Sequence, residues 1–395
     1  MTTEIEHPRE PGPIRVLEWA EENTSLARVV AELGKLQNQF GLDADAVREA
    51  HADARSSVMN LVVVADGQDA VDWAGKVAET MAIHHPSRCV VIWRQREVPA
   101  SRIDAWIRSY DHEILNSRLI ECECISLRVT GEIGQHVPSL IQPLLVADVK
   151  TWLWWMGTPL WGDGSLYDTL GVSDGMIVDS AVFSRPFESF LELAKLCAEI
   201  SETTALTDLQ WTRLHPWREM LAQFFSPPER RPFLRGINAV GIDYVGDARG
   251  NRGAAALLAG WLATRLGWQL KSAFAGSGGV VVAYLESEHG HRIEVAFRSV
   301  PLGGLPDGEV SAVRLQAAAG GRTANLTYER QAGEGGEPSQ SVQMQIELGA
   351  ELLAQTVPVP VQNEVRLLEH LLTAGVRDHN YTASLAFAAD LLRKV

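Results

Sequence analysis

Asp179 and Ser180 are adjacent residues of the types needed for a general base and a nucleophile. A serine hydroxyl needs a neighbouring base to become nucleophilic, and the sequence places no histidine where it would activate Ser180. The G-x-S-x-G nucleophile elbow is absent, because Ser277 lies directly between Gly276 and Gly278. An enzyme with Asp179 as base and Ser180 as nucleophile therefore stays a hypothesis resting on these two residues alone.

The glycine-rich residues 246–253 have the composition of an anion-binding loop, and they include Arg249 and Arg252. Backbone N–H groups at the start of a helix, together with guanidinium groups, can hold a phosphate. Neither the G-x-G-x-x-G fingerprint nor the GK[ST] of a P-loop is present. An anion site at Arg249 and Arg252 and a plain strand-to-helix turn both remain open.

The cysteine pattern favours neither a disulfide framework nor a metal site. Cys122 and Cys124 alternate along a predicted strand, so their thiols share one face about 6.6 Å apart, and no second cysteine pair supplies metal ligands. Cys197 lies on the apolar side of an amphipathic helix pattern. We predict that these thiols are core side chains and that the chain binds no metal and no cofactor.

The segment 148–161 holds four of the twelve tryptophans. Along a strand, Trp152 and Trp154 share one face and Trp155 lies on the other, as in a central strand. Burial of an indole contributes up to about 4–6 kcal/mol, so core packing alone would account for them. Gly157 and Pro159 follow at the strand's carboxyl end, where open α/β sheets place working sites. Core packing and partner binding both remain open.

A second tryptophan segment surrounds a predicted helix start at Pro216. Trp211, Arg213, Trp217 and Arg218 are residue types enriched at interface hot spots. An arginine stacked on an indole would equally brace the protein internally. Contact with a partner and internal bracing are both consistent with this segment.

The elements around these residues indicate an N-terminal helical arm followed by an α/β sheet. Residues 15–40 and 43–54 have helical patterns. Predicted strands at 61–65, 89–93, 119–129, 151–156 and 176–179 then alternate with predicted helices at 70–84, 136–146 and 187–201. Strands that are apolar on both faces and alternate with helices predict a mostly parallel α/β sheet domain.

Three prolines, Pro227, Pro228 and Pro232, interrupt this alternation. The remaining residues have strand patterns at 239–245, 280–286, 292–299, 310–318, 323–330 and 341–348, with helices at 253–266, 364–374 and 381–394. Turn-rich joints between the strands predict an α+β domain with a largely antiparallel sheet.

These patterns predict four parts of the chain. They are an N-terminal helical segment at 1–55, an α/β sheet domain with the Trp-rich motif at 56–225, a linker at 226–236 and an α+β C-terminal domain at 237–395.

The overall charge argues against two classes of partner. Lys and Arg number 35 and Asp and Glu number 50, which gives a formal net charge of −15. Such a balance disfavours nucleic acids and anionic membranes. The first 15 residues lack the apolar region of a signal peptide, so we expect a cytoplasmic protein.

Four segments together resemble one known family. Residues 152–159, followed by 177–180, resemble the LWW-x-G-x-P…VDS pattern of the glucose-6-phosphate dehydrogenase assembly protein family, OpcA. Residues 208–219 resemble its DL-x-W-x-R-L-x-P-W-R segment and residues 259–268 its AGWLA-x-RLGW helix. Residues 377–381 match its RD-x-x-Y tail.

The resemblance implies a non-catalytic partner that binds glucose-6-phosphate dehydrogenase and assists its assembly or activates it allosterically. Such a protein would support the oxidative pentose phosphate pathway and NADPH supply. The resemblance also implies that the partner-binding residues lie in the matched motifs, at Trp152, Trp154, Trp155, Gly157, Pro159, Asp179, Ser180, Trp211, Arg213, Pro216, Trp217 and Arg218. The alternative is a module that senses a sugar phosphate or nucleotide, with the tryptophans stacking the ligand and Arg249 and Arg252 binding phosphate.

Overall fold

Two large mixed β-sheets organise the chain. The computed structural model describes residues 15–48, 59–82, 87–114, 118–200, 203–247, 250–333, 337–374 and 377–395. Two compact units are distinguished, Met1–Ile177 and Val178–Val395. Within the described residues, no helix has the length and apolar character needed to cross a membrane.

The described helices and strands of the first unit are β1 (Arg15–Glu21), α1 (Leu26–Arg48), β2 (Met59–Ala65), α2 (Gln68–Ala82), β3 (Ser87–Gln95), β4 (Arg102–Ile114), β5 (Arg118–Thr130), α3 (Val137–Ile141), β6 (Lys150–Trp155), α4 (Gly164–Leu170) and β7 (Gly175–Val178). Within this unit the strands follow the order β1-β4-β5-β3-β2-β6-β7.

Neighbouring strands in the series β5-β3-β2-β6-β7 are parallel. Strand β4 pairs antiparallel with both β1 and β5. Every residue of β2 is buried, because its Leu-Val-Val-Val run faces packed layers on both sides of the sheet. The predicted mostly parallel α/β sheet is therefore confirmed.

The second unit contains α5 (Pro186–Ile200), β8 (Ala205–Asp208), α6 (Leu209–Arg213), α7 (His215–Phe224), β9 (Ile237–Val245), α8 (Gly253–Leu266), β10 (Gln269–Ala275), β11 (Val281–Glu286), β12 (Arg292–Val300), β13 (Val310–Ala319), β14 (Arg322–Ala332), β15 (Pro338–Leu348), β16 (Glu351–Pro358), α9 (Glu364–Ala374) and α10 (His379–Arg393). Its eight-stranded sheet has the order β10-β11-β12-β9-β13-β14-β15-β16.

In this sheet β9 and β12 are parallel and the other pairs are antiparallel, which confirms the predicted α+β unit with a largely antiparallel sheet. Helix α8 is almost entirely buried and packs closely on α10. A Cβ atom at Gly260 would lie 2.4 Å from the Ser384 carbonyl oxygen, so this helix crossing requires glycine.

Several predicted elements differ from the structure. The helix predicted at 15–40 is wrong at its start, because Arg15–Glu21 form β1, which pairs with β4. A strand partner about 90 residues away overrides the local helical pattern. The second helix predicted at 43–54 is continuous with α1 as far as Arg48, and residues 49–54 lie outside the described part of the chain. The helix predicted at 136–146 is reduced to α3 and a 3-10 turn that contains Pro143.

Along the chain, the boundary between the two compact units lies between Ile177 and Val178. Within the predicted linker 226–236, residues 231–236 form a 3-10 helix with Phe233 buried. The four-part division of the chain stays a prediction.

Candidate functional site

The tryptophans of β6 lie in the core of the first unit. Trp152, Trp154 and Trp155 are all at most 5% exposed. The ring of Trp152 lies against Gly175, where a Cβ atom would come within 2.3 Å of it. The structure therefore gives these indoles a packing role, and contact between them and a partner stays a prediction.

The turn after β6 depends on Gly157, whose φ of +74° lies in the left-handed region that favours glycine. Pro159 is buried, and its carbonyl accepts from the Trp161 amide at 3.0 Å. These two residues end the strand and turn the chain. Their predicted contact with a partner is likewise untested by the structure of this chain alone.

Arg94 is a buried residue that the sequence analysis did not single out. Its Nε and Nη2 donate to one oxygen of Asp66 at 3.1 and 2.9 Å, and its guanidinium lies 4.7 Å from the Trp155 ring centroid. Burial lowers the pKa of Arg94. No local pattern marks it, because an arginine at the end of an apolar strand looks like an exposed residue in sequence.

In the second unit, Asp179 and Arg213 form a bidentate ion pair. Arg213 donates from Nη1 to Oδ1 and from Nη2 to Oδ2 of Asp179, each at 2.7 Å. Burial by itself would lower the pKa of Arg213, but the hydrogen bonds and charge of Asp179 raise it. Asp179 also accepts from the Ala181 amide at 3.1 Å and so caps a 3-10 turn.

Asp208 is fully buried beneath this pair. It accepts from the Ser180 amide at 3.0 Å, the Ser180 hydroxyl at 2.6 Å, the Gln210 amide at 3.0 Å and the Tyr381 hydroxyl at 3.3 Å. Burial, and then the nearby charge of Asp179, raises the pKa of Asp208 to about 6. Asp208 thus joins the turn after β7, the start of α6 and helix α10.

Trp211 is held from two sides. Its Nε1–H donates to Asp378 at 2.7 Å, and the Arg218 guanidinium stacks 3.6 Å from its ring centroid. Arg218 also donates to the Trp211 carbonyl at 3.1 Å, and burial lowers the pKa of Arg218 to about 10. The Tyr381 ring lies 5.7 Å from Trp211.

Three sequence segments that resemble family motifs therefore meet in one hydrogen-bonded group. We call it the motif cluster; its members are Asp179, Ser180, Asp208, Trp211, Arg213, Arg218, Asp378 and Tyr381. The sequence analysis missed Asp208, Asp378 and Tyr381 as site residues, although each lies in a motif that it matched. The signal that could have identified these three residues is their fixed position within those motifs.

The remaining predicted site residues are placed nearby or elsewhere in the second unit. Pro216 lies in the first turn of α7, and Trp217 is buried. Asn251 donates to the Ser180 carbonyl at 2.8 Å and accepts from the Gly253 amide, so it braces the start of α8. Arg252 donates to the Tyr244 hydroxyl at 3.2 Å. Arg249 lies outside the described residues, and anion binding here stays a prediction.

The cluster has the geometry of a structural brace. The Ser180 hydroxyl is buried and donates to Asp208, which itself takes several donors. Asp179 is neutralised by Arg213. Among the residues that the structure describes, no group of three or more His, Cys, Asp or Glu side chains is arranged to hold a metal ion. All four cysteines are buried thiols, as the core prediction for three of them required.

Two family models match this chain. Residues 78–195 match the glucose-6-phosphate dehydrogenase subunit N-terminal domain, and residues 204–385 match the C-terminal domain of the same subunit. The chain belongs to the OpcA family. The family resemblance read from the four sequence segments is thereby confirmed.

Two relatives show the extent of the sequence similarity. A protein named "Putative OxPP cycle protein OpcA" from Synechocystis is 28% identical over 328 residues, which is 80% of this chain and 66% of that protein. A protein of the same name from Nostoc punctiforme is 30% identical over 249 residues, 61% of this chain and 52% of that protein. The chain thus spans between about half and two thirds of the length of these relatives.

Solved structures resemble the chain only distantly. KijD10, a 3-ketoreductase from Actinomadura kijaniata, aligns with a TM-score of 0.48 at 10% identity over 85% of this chain and 96% of its own. An oxidoreductase from Sinorhizobium meliloti aligns with a TM-score of 0.49 at 12% identity over 86% and 96%.

Proposed function

We propose that this chain is a non-catalytic partner of glucose-6-phosphate dehydrogenase, which it binds and whose assembly or activity it promotes. In this role it would act in the cytoplasm and support the oxidative pentose phosphate pathway and NADPH supply. The observation that carries the proposal is that both matching family models describe a subunit of that dehydrogenase. The names of the OpcA relatives agree with the pathway.

The geometry of the motif cluster supports a role without catalysis. The Ser180 and Tyr381 hydroxyls are both buried and bonded to Asp208, and the carboxylate of Asp179 is bonded to an arginine. A general base must reach a reacting proton, and the carboxylates of Asp179, Asp208 and Asp378 are all engaged by donors within the protein. The motif cluster holds α6, α7 and α10 in fixed positions.

A surface next to the cluster is our candidate for contact with the dehydrogenase. His215 and Glu219 are exposed on α7, and the His215 ring lies 5.3 Å from that of exposed His370 on α9. Arg218, between His215 and Glu219 on α7, stacks on Trp211 and thereby ties this surface to the buried cluster. A stable interface of about 1,600 Å² would extend well beyond these three residues.

The proposal is tested with purified dehydrogenase and the full chain. Co-elution in size-exclusion chromatography and a higher rate at sub-saturating glucose 6-phosphate are the expected results. Absence of a complex together with an unchanged rate would reject the proposed function.

Charge reversal locates the surface. Glu219→Lys on α7 should weaken the complex at least about fivefold, because a rim charge affects association with a complementary partner. Glu192→Lys on α5 is the matched control, since Glu192 is similarly exposed and has a basic side chain nearby, Lys195, as Glu219 has His215. Equal affinities for the two variants, with the wild-type complex intact, would exclude this surface and leave the proposed function standing.

A further inference from the structure

A cleft of about 740 Å³ opens in the first unit between α2 and the antiparallel strands β1, β4 and β5. Its volume lies within the range of roughly 300–1,000 Å³ that is usual for small-molecule sites. The cleft contains none of the residues of the motif cluster, and the proposed function makes no use of it.

Indoles form much of the cleft wall. Trp93 on β3 and Trp106 on β4 both line it, and Trp19 on β1 lines it as well. Trp106 is 39% exposed, although an indole gains most when it is fully buried. A partly exposed tryptophan in a concave site is typical of stacking on a planar ligand.

A guanidinium group lies between two of these rings. Arg128 is 5.6 Å from the Trp93 ring centroid and 5.7 Å from that of Trp106. Its Nε donates to Asp104 at 2.7 Å, and Asp104 is buried and also accepts from the Asn23 amide at 2.7 Å. Arg128 is therefore held in position before any ligand arrives.

Further charges lie along the cleft. Lys76 on α2 and Arg108 on β4 are cationic, and Glu18 and Asp72 are anionic. Glu18 accepts from Arg108 at 2.8 Å, and Asp72 accepts from Gln68 at 2.8 Å, so both carboxylates are engaged by neighbouring donors. Lys76, together with Arg128, which also pairs with Asp104, supplies the positive charge placed to meet an anionic group.

We infer that this cleft binds a nucleotide, with the base stacked on Trp106 and the phosphates at Arg128 and Lys76. Every base has a π-face that stacks on an indole, and the planar arginine fork matches phosphate oxygens. A sugar phosphate without a base would leave the indole walls unused. Because the chain carries a net charge of −15, binding depends on these local cations and weakens as salt increases.

Calorimetric titration of the full chain with three probes tests the inference. ADP carries both base and phosphates, adenosine only the base, and inorganic pyrophosphate only the phosphates. ADP should bind at least about tenfold more tightly than either fragment, since stacking and phosphate contacts both contribute. Absence of ADP binding at millimolar concentration, or pyrophosphate binding as tight as ADP binding, would overturn the inference.

Two substitutions locate the site. Trp106→Ala should weaken ADP binding about tenfold or more, whereas Trp73→Ala should leave it unchanged, because Trp73 is equally exposed at 39% but does not line the cleft. If Trp106→Ala fails to fold, Lys76→Ala on the surface of α2 provides the second measurement and should also weaken binding. Unchanged ADP affinity in a folded Trp106→Ala or in Lys76→Ala would contradict the assigned site.

Discussion

Arg213 donates two hydrogen bonds of 2.7 Å to the two carboxylate oxygens of Asp179. One residue follows β7 and the other ends α6, so the pair fixes the turn after a strand against a helix 34 residues later in the chain. Both side chains are largely buried, and the carboxylate of Asp208 lies beneath them. This ion pair is the centre of the motif cluster.

Removal of one partner of the pair should be strongly destabilising. Arg213→Met leaves Asp179 buried without its counter-charge, and we expect a loss of about 3 kcal/mol or more in the free energy of unfolding. Urea denaturation measures it. The double variant Asp179→Asn/Arg213→Met should lose less than the sum of the single variants, and strict additivity would show that the two groups are energetically independent.

Asp208 should give stability an unusual dependence on pH. Its pKa is raised to about 6 in the folded protein, so the folded state holds a proton that the unfolded state releases near pH 4. Its contribution to stability is therefore full below about pH 4, is lost as pH rises toward 6, and amounts to roughly 3 kcal/mol.

Asp208→Asn isolates this effect. The asparagine amide can still accept from the backbone amides of Ser180 and Gln210, while the hydroxyls of Ser180 and Tyr381 can rotate to accept from its NH₂ group. Subtraction of the variant's unfolding free energy from that of the wild type, at each pH from 4 to 7, should give a difference that falls with pH. A flat difference would mean that Asp208 titrates normally.

The Trp211 indole N–H should contribute about 1.5–3 kcal/mol through its bond to Asp378. Trp211→Phe removes this donor and retains a ring beneath Arg218. The contribution of this bond is measured by thermal and denaturant unfolding of Trp211→Phe, Asp378→Asn and the double variant. The double variant should lose less than the sum of the two single variants, whereas strictly additive losses would place the effect outside this bond.

Gly260→Ala should destabilise the protein by about 1–3 kcal/mol, because the new methyl group would meet the Ser384 backbone at the α8–α10 crossing. Gly34→Ala on α1 is the control, since no atom lies within 4 Å of the added Cβ atom. That change should be neutral or stabilising by up to about 1 kcal/mol. The melting temperature of Gly260→Ala should fall while that of Gly34→Ala stays the same or rises, and equal shifts would show that the crossing tolerates a side chain.

Much of the fold was predictable from local sequence. Buried parallel strands such as β2 and β3 are continuous apolar runs, and α9 begins and ends where its helical period does. Strands at the edges of the two sheets were harder to predict. Strand β1 has a helical pattern, and β16 is exposed along nearly all its length, so neither carries the alternation that marks a half-buried strand.

The sequence by itself determined the two sheet classes, the core positions of the cysteines and the motifs that define the family. Only the tertiary structure decided that Asp378 and Tyr381 complete the cluster around Trp211 and Asp208, because these partners lie 167 and 173 residues apart in the chain. It also decided that the indoles of β6 are packed inside the first unit. The physical reason is that periodicity reports which face of an element is apolar, whereas the group that covers this face is selected by packing between segments distant in sequence.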